Sequence, residues 1–164
     1  MHDYIIAVDV GTGSARAGLF DLEGTQVARD VVPISVTQPR ERHLEQDSEE
    51  IWAAVSRAVR SAVDKAGIAS DAVRAIGFDA TCSLVVRDRE GRPLSISTTG
   101  RANLDTLLWM DHRAVEQAER CNRTGDPLLE RYGGRLSAEM QVPKLLWLKE
   151  EMPDTWERAG FMFD

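Results

Sequence analysis

Six residues near the start of the chain have types and spacing that suit phosphate chemistry: Asp9, Gly11, Thr12, Gly13, Ser14 and Arg16, within AVDVGTGSARAGLFD. A glycine-rich turn can aim successive backbone N–H groups at an anion, because glycine tolerates the positive φ angles that such a nest uses. Thr12 and Ser14 add hydroxyl donors, Arg16 a charge of the right sign, and Asp9 a carboxylate suited to a hydrated Mg²⁺. Together these are the parts of a γ-phosphate site. A Walker A loop would end in Gly-Lys-Ser/Thr, which this stretch lacks. A dinucleotide fingerprint would put its third glycine where Arg16 stands and continue as a helix. The residues after Arg16, AGLFDLEGTQVARDVV, read instead as a hairpin. Two readings remain open on these residues alone: a phosphate-binding strand–turn–strand, or an ordinary β-turn capped by Asp9.

The elements that must position these residues can be read from periodicity. Residues 4–9 read as a buried strand, and residues 17–21 and 26–36 continue as a second and third, so the chain begins as a β-meander. The clearest helix is QDSEEIWAAVSRAVRSAVDKAG. Asp47 and Glu50 have capping-box spacing, Ile51, Trp52, Val55, Ala58, Val59, Ala62 and Val63 form one face, and Gly67 stops it. VRAIGFDA is a strand ending near Asp79, and SLVVRD another closed by the turn DREGRP. Residues 95–106 read as a loop and LLWMD as a strand, with Asp111 or His112 opening a helix to about Asn122. Asp126-Pro127, Val142 or Pro143, and Pro153 open three further helices, and AGFMFD begins a strand that needs a partner.

Composition narrows the function classes. The 164 residues suit one domain, with 43% hydrophobic and 29% charged residues as in ordinary globular proteins. A net charge of −7 argues against a broad nucleic-acid surface. No apolar run approaches the roughly 20 residues of a membrane-spanning helix, and the apolar run at Tyr4 to Val8 is too short for a signal peptide. Cys82 and Cys121 have neither zinc-site spacing nor a disulfide framework, so a cytoplasmic protein with free thiols is expected. Asn122-Arg123-Thr124 fits the glycosylation pattern without a secretory context.

AVDVGTGSARAGLFD resembles the first phosphate motif of the actin–hexokinase–sugar-kinase superfamily, and more narrowly that of the FGGY carbohydrate kinases. HLEQDSEEIW is similar to that family's stretch before its first helix, while IGFDATCSLVV, LLWMDHRA and GGRLSAEMQVPKLLWLKEEMP are similar to ribulose- and ribitol-type members. The similarity covers nearly the whole chain. It implies an α/β, ribonuclease-H-like fold, with residues 1–164 forming an incomplete N-terminal domain. The implied activity is ATP-dependent phosphorylation of a sugar or polyol hydroxyl, the acceptor being a ketopentose such as ribulose or a pentitol such as ribitol.

By the same resemblance, Asp9 matches the aspartate that holds Mg²⁺ through water, and Gly11, Thr12, Gly13, Ser14 and Arg16 match the phosphate loop. Thr81, Cys82 and Ser83 fall on the sugar-facing turn, Trp109 against the substrate's carbon skeleton, and Asp111, His112 and Glu139 near its hydroxyls. The implied cofactors are ATP and Mg²⁺ and the implied partner is a small-molecule sugar or polyol, with no nucleic acid and no membrane; a homodimer is compatible. The family's general-base aspartate, its second phosphate motif and its second domain match beyond Asp164, so no catalytic base is expected within this chain and the isolated chain is expected to be inert.

Read as plain structure, several of these residues have other uses. Trp109 suits a core position, Cys82 a small packed residue, and Asp111 and His112 a helix cap. Leu145, Leu146, Trp147 and Leu148 read as core, and His43 as a loop histidine. The rival functions are a non-catalytic sugar-binding or assembly module of actin-like fold and a kinase of the glycerol or xylulose type.

Overall fold

A computed structural model describes residues 3–164. The chain forms two compact units, one built from the residues up to Val36 with Glu49–Thr81, the other from Thr37–Ser48 with Cys82–Asp164.

The first unit carries the expected meander. Strands β1 (Tyr4–Val10), β2 (Ser14–Asp21) and β3 (Gln26–Pro33) pair antiparallel in sequence. Asp21 closes the β2–β3 turn by accepting the Glu23 and Thr25 N–H groups at 3.1 and 2.7 Å, and Gly24 takes a φ of 85° there. After helix α1 (Ser48–Ala66), a further strand (Val73–Ala80) lies parallel beside β1 and ends the sheet opposite β3. Alternation along the strands puts Ile6, Val8, Ala15, Ala17 and Leu19 on one buried face. Ala54, Val55, Ala58 and Ala62 of α1 are buried in the same apolar cluster, and three alanines in that stripe let the helix approach closely. Trp52, expected on this face, is 62% exposed. The stripe is centred on Ala54, Ala58 and Ala62, and Trp52 lies about 120° around the helix from that centre.

The second unit is built on a five-stranded sheet. A hairpin of two short strands, β4 (Thr37–Arg40) and β5 (His43–Gln46), precedes α1 in the chain. With β6 denoting Val73–Ala80, the remaining strands are β7 (Leu84–Asp88), β8 (Thr106–Leu107) and β9 (Ala159–Phe163), in the spatial order β4-β5-β8-β7-β9 with every pair antiparallel. The partner that a strand at 159–164 needs is thus β7. At that pairing Gly160 sits in a bulge, where a Cβ would lie 2.5 Å from the Arg89 Cα. Asp88 closes the DREGRP turn by accepting the Glu90 and Arg92 N–H groups.

Besides the β4–β5 hairpin, which the sequence reading lacks, three segments of this unit depart from it. LLWMD is extended only at Thr106–Leu107 and then turns, the Asp111 N–H donating to the Leu108 carbonyl at 3.0 Å. Helix α2 (Val115–Arg123) starts later than Asp111, whose carboxylate is engaged elsewhere. Asp126 does cap, accepting the Leu128 N–H at 2.9 Å, but the residues it caps (Pro127–Tyr132) form a 3₁₀ turn ended by Gly133 at φ 73°. Helices α3 (Gln141–Glu151) and α4 (Pro153–Arg158) stand where expected.

The interior of this unit holds a buried charge cluster. Arg113 and Asp111 are paired at 2.9 Å and Arg113 and Glu45 at 3.0 Å, all three side chains without solvent exposure. The guanidinium also lies 4.7 Å from the Trp147 ring centroid, within cation–π range. His43 meets Trp147 edge-on at 6.1 Å, and its Nδ1 is buried with no hydrogen-bond partner. It is therefore a packed histidine in β5. Burial, reinforced by the charge of Arg113, pushes its pKa down to about 4.

Arg113→Ala leaves two buried carboxylates without their cation and is expected to destabilise the protein by about 3–5 kcal/mol, whereas Arg120→Ala, which removes a half-exposed partner of Glu150, costs under about 1 kcal/mol. Urea unfolding of both variants measures the contrast, and equal losses would contradict it. His43 is neutral in the fold, while its unfolded form protonates near pH 6.5, so stability present above pH 6.5 is lost as the pH falls toward 4. His43→Phe should flatten this part of the stability–pH curve; parallel curves for the two proteins would refute the assignment.

Candidate functional site

The β1–β2 connection holds the first set of candidate residues. β1 runs to Val10 and β2 begins at Ser14, so Gly11, Thr12 and Gly13 alone make the turn. The Gly11 N–H donates to the Ser14 carbonyl at 3.0 Å, and the Gly13 carbonyl accepts the Ile34 N–H at 3.0 Å. Gly11 and Gly13 are not among the residues with positive φ, so no left-handed nest forms here. The two glycines differ in the space beside them. A Cβ at Gly11 would lie 2.5 Å from the Arg16 Nη2, while a Cβ at Gly13 would meet no atom within 4 Å. The Gly13 side of the turn is thus open to an approaching group.

Asp9 and Arg16 face each other across the β1–β2 ladder and pair at 3.1 Å, each about half exposed. On the other side of β1, Asp9 is in register with Asp79 of β6. A row Arg16–Asp9–Asp79 therefore crosses three strands and edges a cavity of about 320 Å³ also lined by Gly18, Phe20 and Arg29. Asp79 is a candidate that the sequence reading did not single out. Its signal was positional, since FDA ends one strand as VDV ends the neighbouring one. Among the described residues no three His, Cys, Asp or Glu side chains form a metal cage. One or two carboxylates completed by water nevertheless fit Mg²⁺, which keeps much of its hydration shell.

The second set lies on two turns of the other unit. Cys82 is exposed, contrary to its expected packing, and Ser83 is buried with its Oγ accepting the Trp109 N–H at 3.1 Å. Trp109 is half-buried and stands outside the apolar cluster formed by Leu84, Val86, Leu107, Trp147 and their neighbours, so it is not a core tryptophan. Thr81 belongs to the first unit, where its N–H donates to the Val10 carbonyl at 3.1 Å.

Asp111 is the correction in this group. It has no exposure; Arg113 Nε reaches its two oxygens at 2.9 and 3.0 Å, and the Leu44 N–H donates to Oδ2 at 2.6 Å. A carboxylate so occupied offers nothing to a ligand hydroxyl and instead anchors the turn after Trp109. His112 and Glu139 are brought together, Nε2 to Oε1 at 2.8 Å, both partly exposed at the edge of a cavity of about 410 Å³ that Asn122, Arg135 and Ser137 also line.

Behind these turns stands Lys144, fully buried, its ammonium donating to the Leu108 and Trp109 carbonyls at 2.6 and 2.9 Å. Burial brings its pKa down to about 8, against the upward pull of Asp111, Cys82 and Glu139. Within PKLLWL the sequence presents it as an ordinary charge on an apolar helix, and nothing local marks it as buried.

Comparison with known proteins gives the family and the fold. The family model described as FGGY family of carbohydrate kinases, N-terminal domain, matches residues 4–163. The chain is 46% identical over 162 residues to the FGGY carbohydrate kinase domain-containing protein of Homo sapiens, covering 98% of this chain and 29% of that one. It is 41% identical over 151 residues to a D-ribulokinase of Saccharomyces cerevisiae, covering 91% and 21% respectively. The crystal structure of a xyloylose kinase from Brucella ovis superimposes with a TM-score of 0.84 at 21% identity, over 96% of this chain and 31% of that chain, a likeness of fold. The chain thus spans less than a third of the length of these proteins. Its α/β fold is that of these solved sugar kinases, the xylulose kinase of Rhodospirillum rubrum among them. Matched over nearly its whole length by the family's N-terminal domain, the chain belongs to the FGGY family of carbohydrate kinases.

Proposed function

We propose that this chain is the N-terminal part of the first domain of a kinase that transfers the γ-phosphoryl group of Mg·ATP to a hydroxyl of a ketopentose such as ribulose, or of the matching pentitol. The observation that carries the reading is the Asp9–Arg16 pair beside a glycine turn whose Gly13 side is open. Membership of the family supplies the reaction class, and the name D-ribulokinase borne by the 41% identical yeast relative favours the pentulose acceptor.

Bound Mg·ATP would supply an electrophilic phosphorus, the acceptor oxygen forming the new P–O bond as the β–γ bridging P–O bond breaks and ADP departs. The chain's own residues bind and orient. Asp9, with Asp79 as its neighbour, would hold a hydrated Mg²⁺ and Thr12 and Ser14 would offer hydroxyl donors to phosphate oxygens. Arg16 exchanges its partner Asp9 for the phosphate's charge, an exchange made easy by the half-exposed, weakly held pair. On the acceptor side, the Trp109 ring gives a flat apolar wall to the sugar's carbon chain. His112 and Glu139 take hydroxyls, Cys82 lines the turn beside them, and Ser83 steadies Trp109. The proton lost by the acceptor goes to a base outside these residues, so the activity belongs to a longer polypeptide of the family's full length.

The test is ADP release by that longer protein with ribulose, ribitol, xylulose and glycerol. The highest kcat/KM is expected for ribulose or ribitol; preference for glycerol or xylulose would replace the acceptor, and sugar binding without turnover would replace the enzyme by a binding module. Asp9→Ala should lower kcat about 100-fold, while stability changes by under about 1 kcal/mol because the pair is exposed; unchanged kcat removes Asp9 from the mechanism. Trp109→Ala should raise the sugar KM roughly tenfold, as expected for lost stacking area, with the ATP KM unaltered. A fall in melting temperature with no change in KM would instead make Trp109 a packing residue.

A further inference from the structure

The two turns assigned to the acceptor are gripped by one turn of helix α3. Gln141 and Lys144 are three residues apart and so share a face of that helix. The Gln141 Nε2 donates to the Cys82 carbonyl at 2.9 Å, while the Lys144 ammonium donates to the Leu108 and Trp109 carbonyls. A cross-link completes the set, since the Trp109 N–H donates to the Ser83 Oγ. Three backbone carbonyls on two separate turns are therefore tied to a single rigid element.

The residue types are costly ones for simple packing. Burying an ammonium is unfavourable unless its donors are satisfied, and a methionine would fill nearly the same volume without that cost. Gln141 presents the same pattern in milder form. Its Oε1 is buried with no partner, so the carboxamide is held for the bond that its Nε2 makes, and the reverse orientation would set two acceptors against each other at Cys82. Both side chains are placed where donor geometry, rather than apolar contact, decides the fit.

We propose that Gln141 and Lys144 are positioning residues for the acceptor sugar, fixing the separation of the Cys82–Ser83 and Leu108–Trp109 turns by holding their carbonyls from one helical turn. The inference rests on the kinase reading of those two turns. It also explains how Trp109, half-buried and outside the apolar core, has its backbone held in place. Its backbone is fixed on both sides, at its own N–H by Ser83 and at its carbonyl by Lys144. Positioning of this kind acts on the acceptor and leaves nucleotide binding alone.

The experiment uses the family-length protein with Gln141→Met and Lys144→Met, each removing donors at similar volume. Amide hydrogen exchange is read at residues 82–84 and 108–111, with 145–150 of α3 as the internal control, and steady-state kinetics give both KM values. Exchange at the two turns should rise roughly tenfold with the control segment unchanged, and the sugar KM should rise roughly tenfold with the ATP KM within about twofold. Unchanged exchange at both turns overturns the clamp. Faster exchange with an unchanged sugar KM, or a rise in both KM values together with general loss of stability, overturns the positioning role. Should Lys144→Met fail to fold, Gln141→Met at its half-buried site decides the matter alone. Absence of any sugar-dependent turnover in the unaltered protein would overturn the kinase reading and the sugar role with it, while the exchange data would still decide whether the clamp exists.

Discussion

A guanidinium without solvent exposure organises the second unit. Arg113 is held by Asp111 and Glu45 and covered by the Trp147 ring, so one side chain ties together β5, the turn after Trp109 and helix α3. Removing such a charge from water is unfavourable, and only near-complete satisfaction by ion pairs, hydrogen bonds and an aromatic face makes it tolerable. The arrangement therefore tolerates little slack. Asp111 must stay beneath Arg113 and, through its bond to the Leu44 N–H, must also stay beside β5. The acceptor-side turn inherits its shape from this demand.

The first unit obeys the opposite logic. Its sheet is secured by apolar residues on one face, from Ile6 and Val8 to Ala58 and Ala62, and its candidate phosphate residues lie at the β1–β2 turn and the strand ends beside it. Asp9 and Arg16 satisfy each other at the surface, at little gain in stability and with freedom to change partners. Rigid support beneath exchangeable polar groups suits residues that must accept a charged ligand and release it.

Much of this was legible in the sequence because it is local. The meander, α1, the DREGRP turn and the late helices can be read from alternation, helical spacing and turn residues. The β4–β5 hairpin was not, because its strands are four residues each, with Pro39 inside and no apolar alternation, and only tertiary pairing makes them strands. Asp111 reads as a ligand or cap because its partner, the Glu45-bound Arg113, can be recognised as buried only once β5 is in place. Lys144 and Gln141 were hidden for the same reason: their targets are backbone carbonyls far away in sequence, which leave no pattern of residue types. The positive φ expected of the turn glycines is absent, because the turn closes through the Gly11 N–H bond to the Ser14 carbonyl rather than through a left-handed residue.

Gly160 sets a further constraint on the final strand. Because backbone atoms of Arg89 fill the space where its Cβ would stand, only this residue of AGFMF can sit opposite that point. Sliding β9 by one position along β7 would drive either Ala159 or Phe161 into main-chain atoms that cannot yield. The missing side chain thus works as an alignment key, giving β9 a single way to dock.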